Sequence, residues 1–137
     1  MRMRSVAAAI GLATAILAVS PVAADEALIG RWYAMLNAAN ADGLAGMLAD
    51  NVVIRLDDLG VEQDKAAFIA SMDEWKVAVA GAGIRFKVEG AEGAVTTVRT
   101  CYDFPDNDIL MRETFSVAGG LITENRQSRI ADDCAAF

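Results

Sequence analysis

The chain has 137 residues, which is the length of one domain with a single hydrophobic core. It carries 12 basic and 19 acidic residues, a net charge of −7 at pH 7, so it repels the phosphates of nucleic acids and of anionic lipids, and nucleic acid is a poor candidate partner. The absence of histidine removes the commonest zinc ligand and the usual general base, so we expect no metal site, no cofactor and no serine–histidine hydrolase.

The first 24 residues have the three parts of an export signal. Arg2 and Arg4 precede an apolar run, and small residues recognised by signal peptidases end at Ala24. The run is about 14 residues long, whereas a membrane-spanning helix needs about 20. We therefore predict cleavage after Ala24, a periplasmic or secreted protein with no stable membrane anchor after cleavage, and a single domain at residues 25–137.

Three amphipathic helices are predicted in the first half of this domain. The first begins with a cap at Asp25 and ends within residues 37–40, and its apolar face recurs at helical spacing: Leu28, Trp32, Met35, Leu36 and Ala39. A short second helix is capped by Asp42. A third is capped by Asp64 and reaches about Val79.

The remaining segments alternate as β-strands and turns. The runs are rich in β-branched and aromatic residues, and they occupy residues 52–56, 84–89, 94–104, 109–117 and 121–130. A Gly119-Gly120 pair joins the last two strands as a hairpin. Helices followed by a strand meander predict an α+β domain, with the three helices packed on one face of an antiparallel sheet.

Cys101 and Cys134 are the two cysteines of the chain. In an oxidising compartment two thiols usually pair, so we favour a structural disulfide over a redox pair, which is typically spaced Cys-x-x-Cys. In the predicted meander a strand separates the two backbones, which places them about 10 Å apart. The tail from residue 131 to residue 134 must then fold over to form the bond.

Four stretches of the sequence, in this order, resemble the nuclear transport factor 2-like superfamily, particularly its SnoaL-like and ketosteroid-isomerase-like branch. They are residues 31–38 (RWYAMLNA), 42–53 (DGLAGMLADNVV), the helix at 65–75, and 113–123 (ETFSVAGGLIT). The resemblance implies a curved sheet wrapped around three helices, forming a cone with a pocket at its open end. Such proteins include isomerases, dehydratases, cyclases, epoxide hydrolases and non-catalytic binding or dimerisation domains.

The resemblance also indicates where a steroid-isomerase site would fall. The catalytic tyrosine of the first helix falls at Trp32, next to Tyr33, and the general-base aspartate falls at Leu56, next to Asp57. The protonated aspartate of the oxyanion hole falls near Glu113. One position of the three keeps its chemical type, and the candidate acid–base residues are Glu113, Tyr33 and Asp57.

Glu113 stands out without reference to any family. Because side chains alternate along a strand, it shares one face with four apolar residues, Ile109, Met111, Phe115 and Val117. Burial on that face predicts a raised pKa, as acid–base catalysis requires. The alternative is a structural ion pair with Arg126 or Arg129.

The hairpin register decides between these two interpretations. A two-residue turn at Gly119-Gly120 places Glu113 opposite Arg126, whereas a three-residue turn brings Asn125 or Gln127 alongside. The resemblance favours the second arrangement. We therefore predict a mostly apolar cavity in which Glu113, Asn125 and Gln127 converge.

Large apolar and aromatic side chains are the candidates for lining such a cavity. They are Trp32, Tyr33, Met35, Phe68, Met72, Trp75, Phe86 and Phe115. The alternative for each is a place in the core. For Asp57 and Asp58 the alternative is a solvated turn.

Three functions are consistent with these observations. The first is an exported domain that binds a small, largely apolar molecule in a cone-shaped pocket. The second is a cofactor-free isomerase or dehydratase that uses Glu113 or Asp57 as acid or base, with Tyr33 as a donor. The third is a protein-interaction or dimerisation domain, with a homodimer as one form.

Overall fold

The computed structural model of the protein describes residues 13–17 and 21–137. The predicted export signal therefore lies largely outside the described residues, and its cleavage after Ala24 stays a prediction. Within the described residues, no helix is both long and apolar enough to cross a membrane.

The first helix, α1 (Pro21–Asn37), begins before the predicted cap at Asp25. The prediction that Asp25 starts the helix is therefore wrong. Proline suits the first turn of a helix because its fixed φ is helical and its missing N–H would have no partner there. The buried face is also wider than predicted, with Leu28, Ile29, Trp32, Tyr33 and Leu36. Ala39 follows the helix with a φ of 49°, so it is not part of that face.

The second helix, α2 (Ala41–Ala45), is present as predicted, but Asn40 caps it instead of Asp42. Asn40 Oδ1 accepts the backbone N–H of Gly43 at 2.9 Å. Asp42 lies inside the first turn, where its charge is stabilised by the positive end of the helix.

The third predicted helix is present as two, α3 (Lys65–Ala70) and α4 (Met72–Ala78). Asp64 caps α3 as predicted, since its carboxylate accepts a backbone N–H of the first turn at 2.8 Å. The break lies at Ser71, whose hydroxyl donates to the carbonyl of Phe68 at 2.6 Å. A serine bonded to a preceding carbonyl in this way competes with the helical backbone, so the single long helix is corrected to two.

Six strands form one curved sheet, which confirms the α+β fold with helices packed on the sheet. The strands are β1 (Leu48–Leu56), β2 (Val61–Gln63), β3 (Gly83–Glu92), β4 (Val95–Asp103), β5 (Asp108–Ala118) and β6 (Leu121–Ala131). Their order is β2-β1-β6-β5-β4-β3, so the predicted meander of the last four strands is confirmed.

The sheet is mixed instead of wholly antiparallel. β1 pairs with β6 in parallel, which is possible because a long connection containing α3, α4 and four strands separates them. The short edge strand β2 pairs with β1 and was not predicted. It follows a 3₁₀ turn at Asp57–Leu59 that ends at Gly60, whose φ is 61°.

The β5–β6 hairpin combines a two-residue turn with a β-bulge. Gly119-Gly120 forms the turn, and the two glycines have φ values of 58° and 76°. Thr123 is an extra residue in β6, and it shifts the register before the pairing reaches Glu113. Glu113 therefore lies opposite Gln127 and not Arg126. The expected three-residue turn is wrong, and the bulge produces the same partner by another route.

The last six residues, Asp132–Phe137, form a C-terminal strap over the outer face of the sheet, opposite the helices. Cys134 lies against Cys101 with a Cα–Cα distance of 5.7 Å, so the tail folds over as predicted. The Cys134 N–H donates to Asp108 at 2.8 Å. Arg99 donates to the carbonyl of Ala136 at 2.8 Å, and the Phe137 ring lies beneath the guanidinium of Arg85 at 4.6 Å.

A disulfide between Cys101 and Cys134 would cross-link residues 33 apart in the sequence. Because this restricts the unfolded chain, it would raise the free energy of unfolding by about 3–4 kcal/mol. We expect dithiothreitol to lower the free energy of unfolding of the wild type by about that amount in urea titrations. The Cys134→Ser variant should start at the lower value and should not respond to dithiothreitol. Two thiols that react with Ellman's reagent in the native, unreduced protein would contradict this expectation.

Candidate functional site

A cavity of about 550 Å³ lies between α3, α4 and the inner face of the sheet. Most of its wall is apolar or aromatic and comes from Leu36, Leu56, Leu59, Phe68, Met72, Trp75, Ala78, Tyr102, Phe104, Ile109 and Met111. The polar lining residues are Asp58, Gln63, Ser71, Glu74, Gln127 and Arg129. A largely apolar cavity with a few polar groups is typical of small-molecule sites.

Four of the predicted lining residues reach this cavity: Phe68, Met72, Trp75 and Gln127. Trp32 and Phe115 are fully buried in the core instead, because Trp32 stacks on Phe68 at 5.4 Å and meets Phe115 edge-on at 6.0 Å. Phe68 therefore covers Trp32, whose indole N–H has no hydrogen-bond partner within the described residues.

The other predicted lining residues also lie outside the wall. Met35 is partly buried beside Asn40, at the junction of α1 and α2. Phe86 of β3 stacks on Tyr33 at 5.1 Å and fills the core. Asn125 is fully buried behind the cavity wall.

Glu113 has no exposed surface, and it has no basic partner among residues 21–137. The phenol of Tyr102 donates to its Oε1, and the amide of Asn125 donates to its Oε2 at 3.3 Å. The ion-pair alternative is wrong for both arginines, since Arg126 pairs with Asp57 at 3.0 Å and Arg129 pairs with Asp132 at 2.9 Å. Neutral groups alone therefore hold this carboxyl.

Burial raises the pKa of Glu113 from 4.5 to about 7. Hydrogen bonds from Tyr102, Asn125 and Tyr33 oppose the shift without cancelling it. Burial also raises the pKa of Tyr33 and of Tyr102 well above the usual value, and the nearby Glu113 charge adds to it. Both phenols therefore stay protonated at neutral pH, while the carboxyl can change its protonation state near neutral pH.

The hydrogen bonds connect this buried cluster to the cavity at two points. Tyr102 lines the cavity and contacts Glu113 directly. Gln127 also lines it, and its amide donates at 2.8 Å to Asn125, which in turn contacts Glu113. Glu113, Asn125 and Gln127 therefore converge, but only Gln127 reaches the cavity wall. Tyr33 lies deeper, with its hydroxyl 2.7 Å from that of Thr100.

Tyr102 is the site residue that the sequence analysis did not assign. Its signal was alternation along β4, where Val98, Thr100 and Tyr102 share the buried inner face that also receives Glu113 from β5. A phenol on a buried face needs a polar partner. The carboxyl of Glu113, on the strand that follows β4 in the sequence, is the candidate partner.

Asp57 lies apart from the cluster, at the exposed start of the 3₁₀ turn. The hydroxyl of Ser128 and the guanidinium of Arg126 donate to its carboxylate and lower its pKa. This geometry matches the solvated-turn alternative. Asp58 differs, because it lines the cavity and accepts the backbone N–H of Arg129 at 2.6 Å.

One group of potential metal ligands occurs among residues 21–137, formed by Cys101, Asp108 and Cys134 on the outer face. The two sulfur atoms are paired with each other, and the carboxylate of Asp108 accepts the backbone N–H of Cys134. The donors are therefore engaged within the protein, in the contact that holds the strap.

No protein-family model matches the sequence, and no curated protein is a significant match. Solved structures do match its fold. A nuclear transport factor 2-like protein of unknown function from Burkholderia xenovorans aligns with a TM-score of 0.66 and 12% identity, over 81% of this chain and 84% of that one. An epoxide hydrolase from M. tuberculosis, described as LEH-like, aligns with a TM-score of 0.57 and 16% identity, over 76% and 80%.

A third neighbour is a protein from Catenulispora acidiphila with a ketosteroid isomerase-like fold, solved in complex with trimethylamine. It aligns with a TM-score of 0.60 and 12% identity, over 74% of this chain and 83% of that one. Identities this low show the fold alone. The chain therefore has the nuclear transport factor 2-like, ketosteroid isomerase-like fold that its sequence resembles.

Proposed function

We propose that the protein is an exported domain that binds a small, largely apolar molecule carrying at least one hydrogen-bonding group. The observation that carries this proposal is the cavity of about 550 Å³, whose apolar wall contains Tyr102 and Gln127 on one side. The apolar wall would supply most of the binding free energy, and the two polar groups would orient the ligand. The predicted periplasmic or secreted location belongs to the same proposal.

Binding is favoured over catalysis because the acid–base groups of the steroid-isomerase pattern do not meet in the cavity. Trp32 is covered by core residues, and Leu56 offers no carboxylate. Asp57 is held by Arg126 and Ser128. The solved neighbours are consistent with either role for the fold, since one is an epoxide hydrolase and another was solved with a small amine.

A cofactor-free isomerase or dehydratase is the second candidate, and one observation favours it. Glu113, with a pKa of about 7, contacts Tyr102, which lines the cavity. In this mechanism the protonated form of Glu113 gives its proton to the phenol oxygen of Tyr102 as the phenol gives its own hydroxyl proton to a ligand oxygen, which leaves Glu113 as the carboxylate. Groups with a pKa near neutrality suit such transfers. Tyr33 would stabilise the cluster without contacting the ligand.

A dimerisation domain is the third candidate. The resemblance implies that pairing through the open face of the sheet is common among related folds, and in this chain the strap covers part of that face. A homodimer therefore stays a prediction, and any such contact must use the uncovered part of the sheet or involve the strap itself.

The ionisation of Glu113 predicts how stability depends on pH. Because folding raises this pKa from 4.5 to about 7, the folded protein holds the proton more tightly than the unfolded chain, and stability falls as pH rises through that window. Across this window the free energy of unfolding of the wild type should fall by roughly 3 kcal/mol. We expect the Glu113→Gln variant to lose this dependence on pH. Urea titrations across the window measure it. The matched control is Glu92→Gln, an exposed acid, which should keep the wild-type slope. Equal slopes in all three proteins would show that Glu113 is not buried in solution.

A neutral aromatic alcohol tests the binding function. We expect 2-naphthol to bind the wild type in calorimetric titration, and Gln127→Leu to weaken it by about tenfold, the cost of one buried hydrogen bond. Thr97→Val, on the outer face of β4, is the matched control and should leave binding unchanged. Equal affinities for all three proteins would place the alcohol elsewhere.

Turnover separates the first two candidates. We expect no conversion of an enolisable 3-ketosteroid by the wild type. Turnover that is lost in Glu113→Gln would instead establish the enzyme.

A further inference from the structure

We propose that the cavity recognises a positively charged alkylammonium group, held in an aromatic corner formed by Trp75, Tyr102 and Phe104. This inference rests on the proposed binding function and names the chemical class of its ligand. Its basis is the arrangement of three aromatic rings together with the charges around the cavity.

The three rings form two perpendicular walls. Trp75, from α4, stands at 89° to the ring of Tyr102 and at 79° to that of Phe104, with centroid distances of 6.1 and 6.0 Å. The rings of Tyr102 and Phe104, at the end of β4, are nearly parallel at 12°. All three residues line the cavity. Perpendicular aromatic walls of this kind are the arrangement that receives quaternary ammonium groups.

The polar ends of two of these rings are already occupied within the protein. The indole N–H of Trp75 donates to the carbonyl of Leu36 at 2.7 Å, and the hydroxyl of Tyr102 donates to Glu113. Both rings are therefore fixed in position. The hydroxyl oxygen of Tyr102 can still accept a hydrogen bond from a ligand. Otherwise the corner offers π surface, which attracts cations because the face of an aromatic ring carries negative charge.

The charged groups around the cavity also favour a cation. Asp58 and Glu74 line it, and no lysine or arginine within residues 21–137 forms an ion pair with either. The one basic lining residue, Arg129, has its guanidinium paired with Asp132 at 2.9 Å. The carboxyl of Glu113 lies directly behind Tyr102. A cavity with this balance repels carboxylates and phosphates and attracts cations.

A pair of molecules that differ only in charge tests the inference. They are (3-hydroxyphenyl)trimethylammonium and its neutral isostere 3-tert-butylphenol, which share the ring, the hydroxyl and the shape of the head group. We expect calorimetric titration to show the cation binding at least about tenfold more tightly than the isostere, as a desolvated cation–π contact predicts.

Variants locate the effect. We expect Trp75→Leu and, separately, Phe104→Leu to reduce the preference for the cation to about threefold or less, since the first removes one wall and the second removes one of the two rings of the other. The matched control is Phe137→Leu, which removes an aromatic ring of the strap on the outer face of the sheet, away from the cavity, and should keep the preference.

Trp75 also anchors α4, so a second measurement avoids any loss of folding. Biosynthetic replacement of tryptophan by 5-fluorotryptophan weakens the negative face of the ring with little change in shape. We expect the affinity for the cation to fall while that for 3-tert-butylphenol stays constant.

The outcomes are distinguishable. Equal or tighter binding of the neutral isostere would overturn the alkylammonium inference and leave the proposed binding function standing. Binding of neither molecule, together with no binding of 2-naphthol, would overturn both. A cation preference that survives Trp75→Leu, Phe104→Leu and fluorination would also overturn the inference, because the attraction would then arise away from the corner.

Discussion

The chemistry of the interior depends on a buried carboxyl that is hydrogen-bonded but has no countercharge in the part of the chain that the structure describes. Tyr102 and Asn125 hold Glu113 with neutral donors, and the two nearby arginines are engaged with aspartates at the surface. An arginine in contact would have kept this carboxyl ionised and inert. Neutral donors instead leave it able to gain or lose a proton near neutral pH. Tyr102 contacts this carboxyl and also lines the cavity, so its phenol links the ionisation of Glu113 to the cavity wall.

This arrangement opposes stability. A carboxyl ionised without a countercharge in the core costs free energy that a leucine at the same place would not. The fold offsets that cost with aromatic packing in the core, where the ring of Phe115 meets those of Trp32 and Tyr33 edge-on, each at 6.0 Å. Because a buried ionisable group destabilises an apolar interior, its presence is a reason to assign it a role in recognition or chemistry.

Local patterns predicted most of the secondary structure, and long-range contacts account for the errors. β5 and β6 were found nearly to the residue, because alternation and the Gly119-Gly120 turn are local signals. The helix break at Ser71 was missed since the apolar stripe continues through it. The parallel pairing of β1 with β6 joins segments far apart in the sequence, and no local pattern carries that information.

The candidate site divides in the same way. The burial of Glu113 followed from its own strand, whereas its contact with Tyr102 depends on how two strands curve. Asp57 was one position from the expected base, and only the fold shows that Arg126 and Ser128 occupy it.

The extra residue at Thr123 has a consequence for sequence alignment. Residues on the two sides of it face the interior with opposite parity along β6, so Asn125 and Gln127 match inward positions only if the alignment carries a one-residue gap at that point. An ungapped alignment with a protein that lacks the bulge would assign Arg126 to the pocket and would transfer function to the wrong side chains. Searches for distant relatives of this chain should therefore score the two halves of β6 separately.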